Sequence, residues 1–309
     1  MSQNETVSIP LNNYYIFKSC IAGSIYPGIE IAVNYIFDRI EASYINDPRQ
    51  SSCAGFGFYK GTVPVETNLA LNARNLSLAA ETENNNMVCV CPTSYNNLKH
   101  CKKLISKEKK IEKQIKEIFK DIGLKYDYSP EISHVSDVLL ATINEISEKA
   151  VYSLSGIKAV THHGCHYSKF FFNDISSGTF ENPTVLDDIL KKLGCELLDY
   201  SEKFLCCGGG LHNSLYNSEY SRKILRRKLK SIYEQKPDVI ITQCPGCTFN
   251  LEYHQELISE ELGDERVPVL YISEIIALLL GENPQNIGMD MHVVPVEPLL
   301  ENLGMGVKH

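Results

Sequence analysis

The second half of the chain restates the first, and this duplication limits the fold more than any other feature. Val88-Cys89-Val90-Cys91-Pro92-Thr93-Ser94 aligns with Ile241-Thr242-Gln243-Cys244-Pro245-Gly246-Cys247. Ser52-Cys53-Ala54-Gly55 aligns with Cys206-Cys207-Gly208-Gly209, and Cys20 with Cys165. Further along, Ser136-Asp137-Val138-Leu139 matches Ser273-Glu274-Ile275-Ile276, each pair opening an apolar helical stretch with a cap-like serine.

Both halves also order their elements alike. A short apolar strand (Tyr14 to Phe17; Gly156 to Thr161) precedes the first cysteine. Amphipathic helices follow over Ile29 to Ile40 and Val185 to Leu193. After the double-cysteine position come second helices (Asn68 to Glu81; Glu219 to Glu234), then strands (Met87 to Val90; Val239 to Thr242) that run into the last cysteine element. Alternation of this kind predicts an α/β layer fold with parallel strands and sites at the strands' carboxyl ends. We place the halves at residues 1–150 and 151–309. The Lys/Glu-rich stretch Cys101 to Gly123 reads as a solvated connector helix, with a loop over Leu124 to Pro130.

The 309 residues suit two domains that each bury a core, and 43% apolar with 22% charged residues is an ordinary soluble composition. A net charge of −8 argues against a nucleic-acid backbone as partner. The basic run from Ser221 to Lys228 reads as the solvated face of a helix, with docking of an acidic partner as the alternative. Met1 to Pro10 lacks a signal-peptide layout, and Ile275 to Leu280 is too short to span a bilayer. A cytoplasmic protein without membrane insertion is expected, and there 11 cysteines point to metal or redox duty rather than disulfides.

In the second half, Cys165, Cys206, Cys207, Cys244 and Cys247 form one set. A zinc ribbon needs two C-x-x-C pairs and this set has one. A thioredoxin-like dithiol uses Cys244 and Cys247 and leaves three cysteines unexplained. Iron–sulfur chemistry accounts for all five. Gly208-Gly209-Gly210 lacks the Lys-Ser/Thr of a phosphate loop, and reads instead as backbone brought close enough to donate N–H bonds to cluster sulfurs. The first half keeps Cys20, Cys53 and Cys91 but carries Ser52 and Ser94 where cysteines are due. A second iron–sulfur cluster of undefined type is expected at these three. Cys89 reads as a buried small hydrophobe, with a fourth-ligand role as the alternative. Cys101 and Cys195 lack counterparts and read as ordinary. His162, His163 and His166 crowd Cys165; His166 is the candidate proton donor or thiolate stabiliser, against a plain packing role. Lys169 reads as a surface lysine, with attraction of an anionic substrate group as the alternative.

These residues, with Ala73-Arg74-Asn75-Leu76, His162-His163-Gly164-Cys165-His166 and the ending His292-Val293-Val294-Pro295-Val296-Glu297-Pro298-Leu299-Leu300, resemble the B subunit of heterodisulfide reductase. That family is built from two copies of the cysteine-rich CCG domain, and the resemblance covers nearly the whole chain. It implies two pseudo-duplicated CCG domains with short parallel sheets and flanking helices. It further implies a non-cubane [4Fe–4S] cluster on Cys165, Cys206, Cys207, Cys244 and Cys247. Cys206 and Cys207 of this set, with His166 beside it, are the candidate catalytic residues. The substrate is then the mixed disulfide of coenzymes M and B, held between two clusters. The partners are a ferredoxin-like iron–sulfur protein, the C subunit, and a flavin-containing protein, the A subunit. No flavin or nicotinamide fingerprint occurs here, so electrons must come from such partners. With its first set two cysteines short, this chain departs from the two-cluster pattern. Two other readings follow from that: a subunit of a sulfur-oxidising complex acting on persulfides, or a non-catalytic electron-transfer subunit.

Overall fold

The computed structural model describes residues 9, 11–82, 84–169, 175–209, 217–258 and 266–306. In the first half, β1 (Tyr14–Phe17), β2 (Tyr44–Ile45), β3 (Asn86–Cys89) and β4 (Glu131–His134) form a parallel sheet ordered β2-β1-β3-β4. In the second, β5 (Lys158–His162), β6 (Glu196–Leu197), β7 (Val239–Thr242) and β8 (Val269–Tyr271) form a parallel sheet ordered β6-β5-β7-β8. The registers correspond too: Phe17 lies opposite Cys89, and His162 opposite Thr242. The α/β fold with two short parallel sheets is thus as the sequence predicts. The sequence shows only two strands per half, however, and misses β2, β4, β6 and β8. Runs of two to four residues give alternation too little length to register.

The helices of the first half are α1 (Cys20–Ile25), α2 (Gly28–Arg39), α3 (Gly55–Tyr59), α4 (Val65–Ala80), α5 (Pro92–Lys107), α6 (Lys109–Asp121), α7 (Val135–Ala141) and α8 (Ile143–Lys149). Those of the second, among the described residues, are α9 (Cys165–Ser168), α10 (Val185–Lys192), α11 (Ser218–Tyr233), α12 (Pro245–Tyr253), α13 (Ile272–Leu279) and α14 (Glu297–Asn302). Two expectations need correction. The connector is two helices, α5 and α6, and it is not fully solvated: Cys101, Ile105, Ile115 and Phe119 pack on Leu69 and Ala73 of α4. Nor do the paired serines cap α7 and α13. The caps are His134, whose Nδ1 accepts the Ser136 N–H, and Tyr271, whose N–H is accepted by the Glu274 carboxylate. Each serine lies one residue inside its helix, and Ser273 Oγ instead donates to the Ile29 carbonyl in the other half (2.9 Å).

That last bond reports how the halves meet. α13 lies along α2, α10 along α7, α5 against α9 and α12 against α1. One core therefore takes Val33, Ile36 and Phe37 from the first half together with Ile272, Ile276 and Leu279 from the second. β1–β4 fall within residues 1–150 and β5–β8 within 151–309, and each half buries smaller clusters of its own beside the large shared core. Removing one interlocking side chain, for instance by Ile276→Ala, falls in the class of core truncations that cost about 2–5 kcal/mol.

The C-terminal segment locks the same junction. His292 is buried between Glu252 of α12 (3.0 Å) and Glu274 of α13 (3.3 Å), and Tyr26 from the first half donates to Glu252. Burial opposes charge on this imidazole, but the two carboxylate hydrogen bonds prevail and raise His292 to about 10. A folded pKa above the unfolded value near 6.5 stabilises fully below that pH, and the contribution disappears as pH rises through 10. Denaturant midpoints of wild type and His292→Gln should therefore differ by a constant amount below about pH 6.5 and converge towards pH 10. A gap that does not change with pH would show that His292 acts through packing alone.

Candidate iron–sulfur site

At the carboxyl ends of β5 and β7 the chain breaks into turns that bring the thiols together. Cys165 opens α9, Cys244 is the N-cap of α12 and Cys247 lies in its first turn. Gly164, at φ +78°, makes this approach feasible: a Cβ there would sit 3.3 Å from Cys244 Cβ and 3.5 Å from Cys247 Sγ. Gly208, at φ +92°, passes so close to α11 that a Cβ would come within 2.7 Å of the Ser221 carbonyl oxygen. Its N–H points at Cys206 Sγ (3.4 Å), the donor role expected of this glycine run. Gly210 lies outside the described residues.

All five thiols are free and line one cavity of about 410 Å³. They touch in series: Cys165 meets Cys206, Cys206 meets Cys207, Cys207 meets Cys247, and Cys247 meets Cys244. The contacts split the thiol acidities. Protons donated by Cys165 and Cys207 push Cys206 down, while Cys165 itself is pushed up by its bond to Cys206. Cys244 is likewise lowered by bonds from Cys247 and Cys91. His162 stands beside the set, and one of its ring nitrogens with Cys207 Sγ and Cys247 Sγ forms a trio within 4.8 Å. Its Nε2 is buried without a hydrogen-bond partner. Crowded soft donors of this number, with no disulfide among them, fit an iron–sulfur cluster.

Of the three histidines, His166 lines the cavity, and its Nδ1 pairs with Thr93 Oγ1 of the first half at 2.7 Å. Burial lowers its pKa, partly offset by Cys244 and Cys206. His163 faces away: its Nε2 accepts the Leu186 N–H at the start of α10 (3.1 Å), and burial takes it down to about 3. Lys169 donates to the Phe204 carbonyl and is not among the described residues that line the cavity, whereas Arg222 is.

The first-half set is arranged differently. Cys20 is exposed. Cys53 Sγ accepts from Ser94 Oγ (3.2 Å) and from the Gly55 N–H (3.3 Å), so Ser94 reproduces with a hydroxyl the contact Cys247 makes to Cys207. Ser52 Oγ accepts the Ala54 N–H. Cys91 leaves its own half and bonds to Cys244, its counterpart in the repeat, and it lines the shared cavity. Among the described residues no trio of ligand atoms gathers around Cys53 as one does around Cys207. Cys89 is fully buried against Tyr15, Phe17 and Leu76. Cys101 is buried and receives a bond from Asn68 Nδ2, and Cys195 faces the Ile157 carbonyl.

Three residues escape the sequence reading. Asn97 Nδ2 donates to the Cys53 carbonyl (2.6 Å) and Asn250 Nδ2 to that of Cys207 (2.7 Å), so matched asparagines hold the two double-cysteine turns. The repeat already carries this signal, since Asn97-Leu98 aligns with Asn250-Leu251. Lys228 belongs to the basic run, and its neighbours Arg222, Lys223, Arg226 and Arg227 are solvated as expected. Lys228 itself is fully buried. It falls on the stripe Leu225, Lys228, Leu229, Ile232, so helical spacing marks it as inward-facing. Burial lowers its pKa to about 8, against the opposing pull of Cys207 and Cys247.

Two parallel sheets with thiols at their carboxyl edges define the class: the model of the CCG cysteine-rich domain matches residues 14–99 and again 159–252. The chain belongs to the heterodisulfide reductase B-subunit family, a family of oxidoreductase subunits. It is 32% identical to the B subunit of the ferredoxin:CoB-CoM heterodisulfide reductase of Methanosarcina acetivorans, over 96% of this chain and 98% of that one. It is 28% identical to the 8-methylmenaquinol:fumarate reductase membrane anchor subunit of Wolinella succinogenes, over 80% of this chain and 85% of that one. A crystal structure of a hypothetical protein from Helicobacter pylori shares the fold, with a TM-score of 0.66 at 17% identity, over 92% of this chain and 52% of that one. Among the described residues no helix is long and apolar enough to cross a membrane.

Asn250→Ala removes a buried hydrogen bond worth about 1–3 kcal/mol and frees the Cys206-Cys207 turn. Thermal unfolding should show that loss, and iron retained after purification should fall; full iron retention would detach Asn250 from the site.

Proposed function

We propose that the chain is the catalytic iron–sulfur subunit of a heterodisulfide reductase-like complex in the cytoplasm. In this reading it reduces, or in reverse forms, a disulfide of small thiol cofactors such as coenzyme M–coenzyme B. The observation that carries the reading is the series of five touching thiols on one open cavity, beside a histidine held by the other half. A cluster bound there, non-cubane [4Fe–4S] by family resemblance, supplies electrons singly and a soft metal surface for sulfur. Reduction takes the disulfide, two electrons and two protons to two thiols. Cys165, Cys206, Cys207, Cys244 and Cys247 hold the cluster, with Cys206 and Cys207 nearest the chemistry. Thr93 orients His166, which carries a proton to the departing thiolate. Arg222 on the cavity wall faces whatever anionic group the substrate bears, and Phe56, Ile21 and Phe249 supply apolar walls. Electrons arrive from the ferredoxin-like C subunit and the flavin-containing A subunit.

The first-half set favours a secondary role. Cys20, Cys53 and Cys91 offer three thiolates, enough for a conventional or an incomplete cluster but two short of the second-half set, and Cys91 is engaged with Cys244. That shortfall, with the likeness to a fumarate reductase subunit, keeps a second reading in view: electron transfer, or persulfide handling, at one cluster.

Three measurements test the proposal. Iron and acid-labile sulfide on anaerobically purified protein should fall short of two complete four-iron clusters; a full complement for both would place an intact second cluster in the first half. Cys206→Ser should abolish disulfide turnover by the assembled complex while circular dichroism stays native, and full activity would sink the assignment. His166→Gln should retain iron, lower turnover about 100-fold and flatten the pH–rate profile, within the usual range for a lost general acid. An unchanged profile would remove His166 from proton transfer.

A further inference from the structure

Lys228 is 0% exposed, and among the described residues no carboxylate lies within ion-pair distance of it. Its Nζ donates to the Glu202 carbonyl, stands 3.4 Å from His162 Nδ1, and lies 5.2 Å from the centre of the Tyr200 ring. The Glu202 carboxylate is engaged elsewhere, by Arg227 at 3.0 Å. An ammonium taken out of water without a counter-charge costs several kcal/mol, so a fold keeps one only where something anionic repays that cost. The groups that do so here are chiefly sulfurs: Cys207 and Cys247 favour its charge most, followed by the Glu202 carboxylate and Cys206.

The duplication supplies an internal control. α4 and α11 are equal in length and align end to end, which sets Asn75 where Lys228 stands. Asn75 is equally buried but neutral, and its side chain bonds to the Ser51 backbone. The strand register likewise sets Phe17 against His162. The half that keeps five thiols has a buried cation behind them. The half with Ser52 and Ser94 in place of two thiols has an amide at the lysine position and a phenyl ring at the histidine position.

Building on the iron–sulfur reading above, we propose that Lys228 is the internal counter-ion of the C-terminal site, a positioning residue whose fixed positive charge favours the more reduced, more anionic state of the thiolate-bound group. Each electron added to a buried set of thiolates deepens its negative charge, and a cation held in the same low-dielectric interior lowers the free energy of that state. The lysine therefore raises the midpoint potential and brings the site within reach of weaker electron donors. It need not touch the substrate.

The test uses the full chain purified or reconstituted anaerobically, with midpoint potential followed by EPR and visible absorbance. Iron analysis of wild type comes first, because a wild type that takes up no iron and sulfide defeats the iron–sulfur reading itself, independently of Lys228. With iron present, Lys228→Met should shift the midpoint to more negative potential, and Lys228→Arg should stay near wild type. In metal-free protein, Lys228→Met should be at least as stable as wild type, since replacing a buried ammonium that makes no ion pair with an apolar chain of similar volume removes a desolvation cost. Loss of iron from Lys228→Met with retention in Lys228→Arg would also support a charge role. The proposal is overturned if Lys228→Met keeps the wild-type midpoint or Lys228→Arg shifts as far as Lys228→Met. It is equally overturned if both variants lose iron alike, or if metal-free Lys228→Met is the less stable protein.

Discussion

Everything at the site depends on one packing arrangement: α13 of the second half lies on α2 of the first, and α10 lies on α7. Parallel strands send all their carboxyl ends to one edge of a sheet, so each half alone would present its cysteine turns to solvent. Crossing the helices turns the two edges towards each other. The thiols then sit where Ile21, Phe56 and Thr93 of one half close over Cys165, Cys206 and Cys247 of the other. Burial is what makes the sulfur contacts consequential, because charges crowded in a low-dielectric interior act on one another far more strongly than in water.

Much of this arrangement can be read from the sequence, and the reason is that the chain carries its own comparison. Repeated motifs locate the ligands and the broken copy without a second protein. Strand-to-turn junctions at Cys91 and Cys244, the helices near α2, α4, α10 and α11, and the parallel order all follow from local pattern. The edge strands do not, because Tyr44–Ile45 and Glu196–Leu197 are defined only by a neighbour's backbone. The interlocking of the halves is equally hidden, since an amphipathic helix shows which face is apolar and not which partner covers it.

Side chains are misread where local composition and tertiary position disagree. Lys228 sits in a run of exposed cations, and composition outvotes the helical spacing that places it inside. Ser136 and Ser273 look like caps because serine commonly is one, whereas His134 and Tyr271 precede the helices and take that role. Cys91 aligns with the first-half ligands, but its contact is with Cys244, a relation that only the closed pair of halves creates.

Divergence of one copy also gives the cavity a direction. Two intact, matched sites facing each other would offer a guest the same surroundings at both ends, and a molecule with unlike ends would enter either way round. Here one wall carries five thiols, a histidine and a lysine behind them. The opposite wall has Ile21, Phe56 and a single inward cysteine. The frame remains nearly two-fold while its contents do not, so an unsymmetrical guest has one preferred orientation.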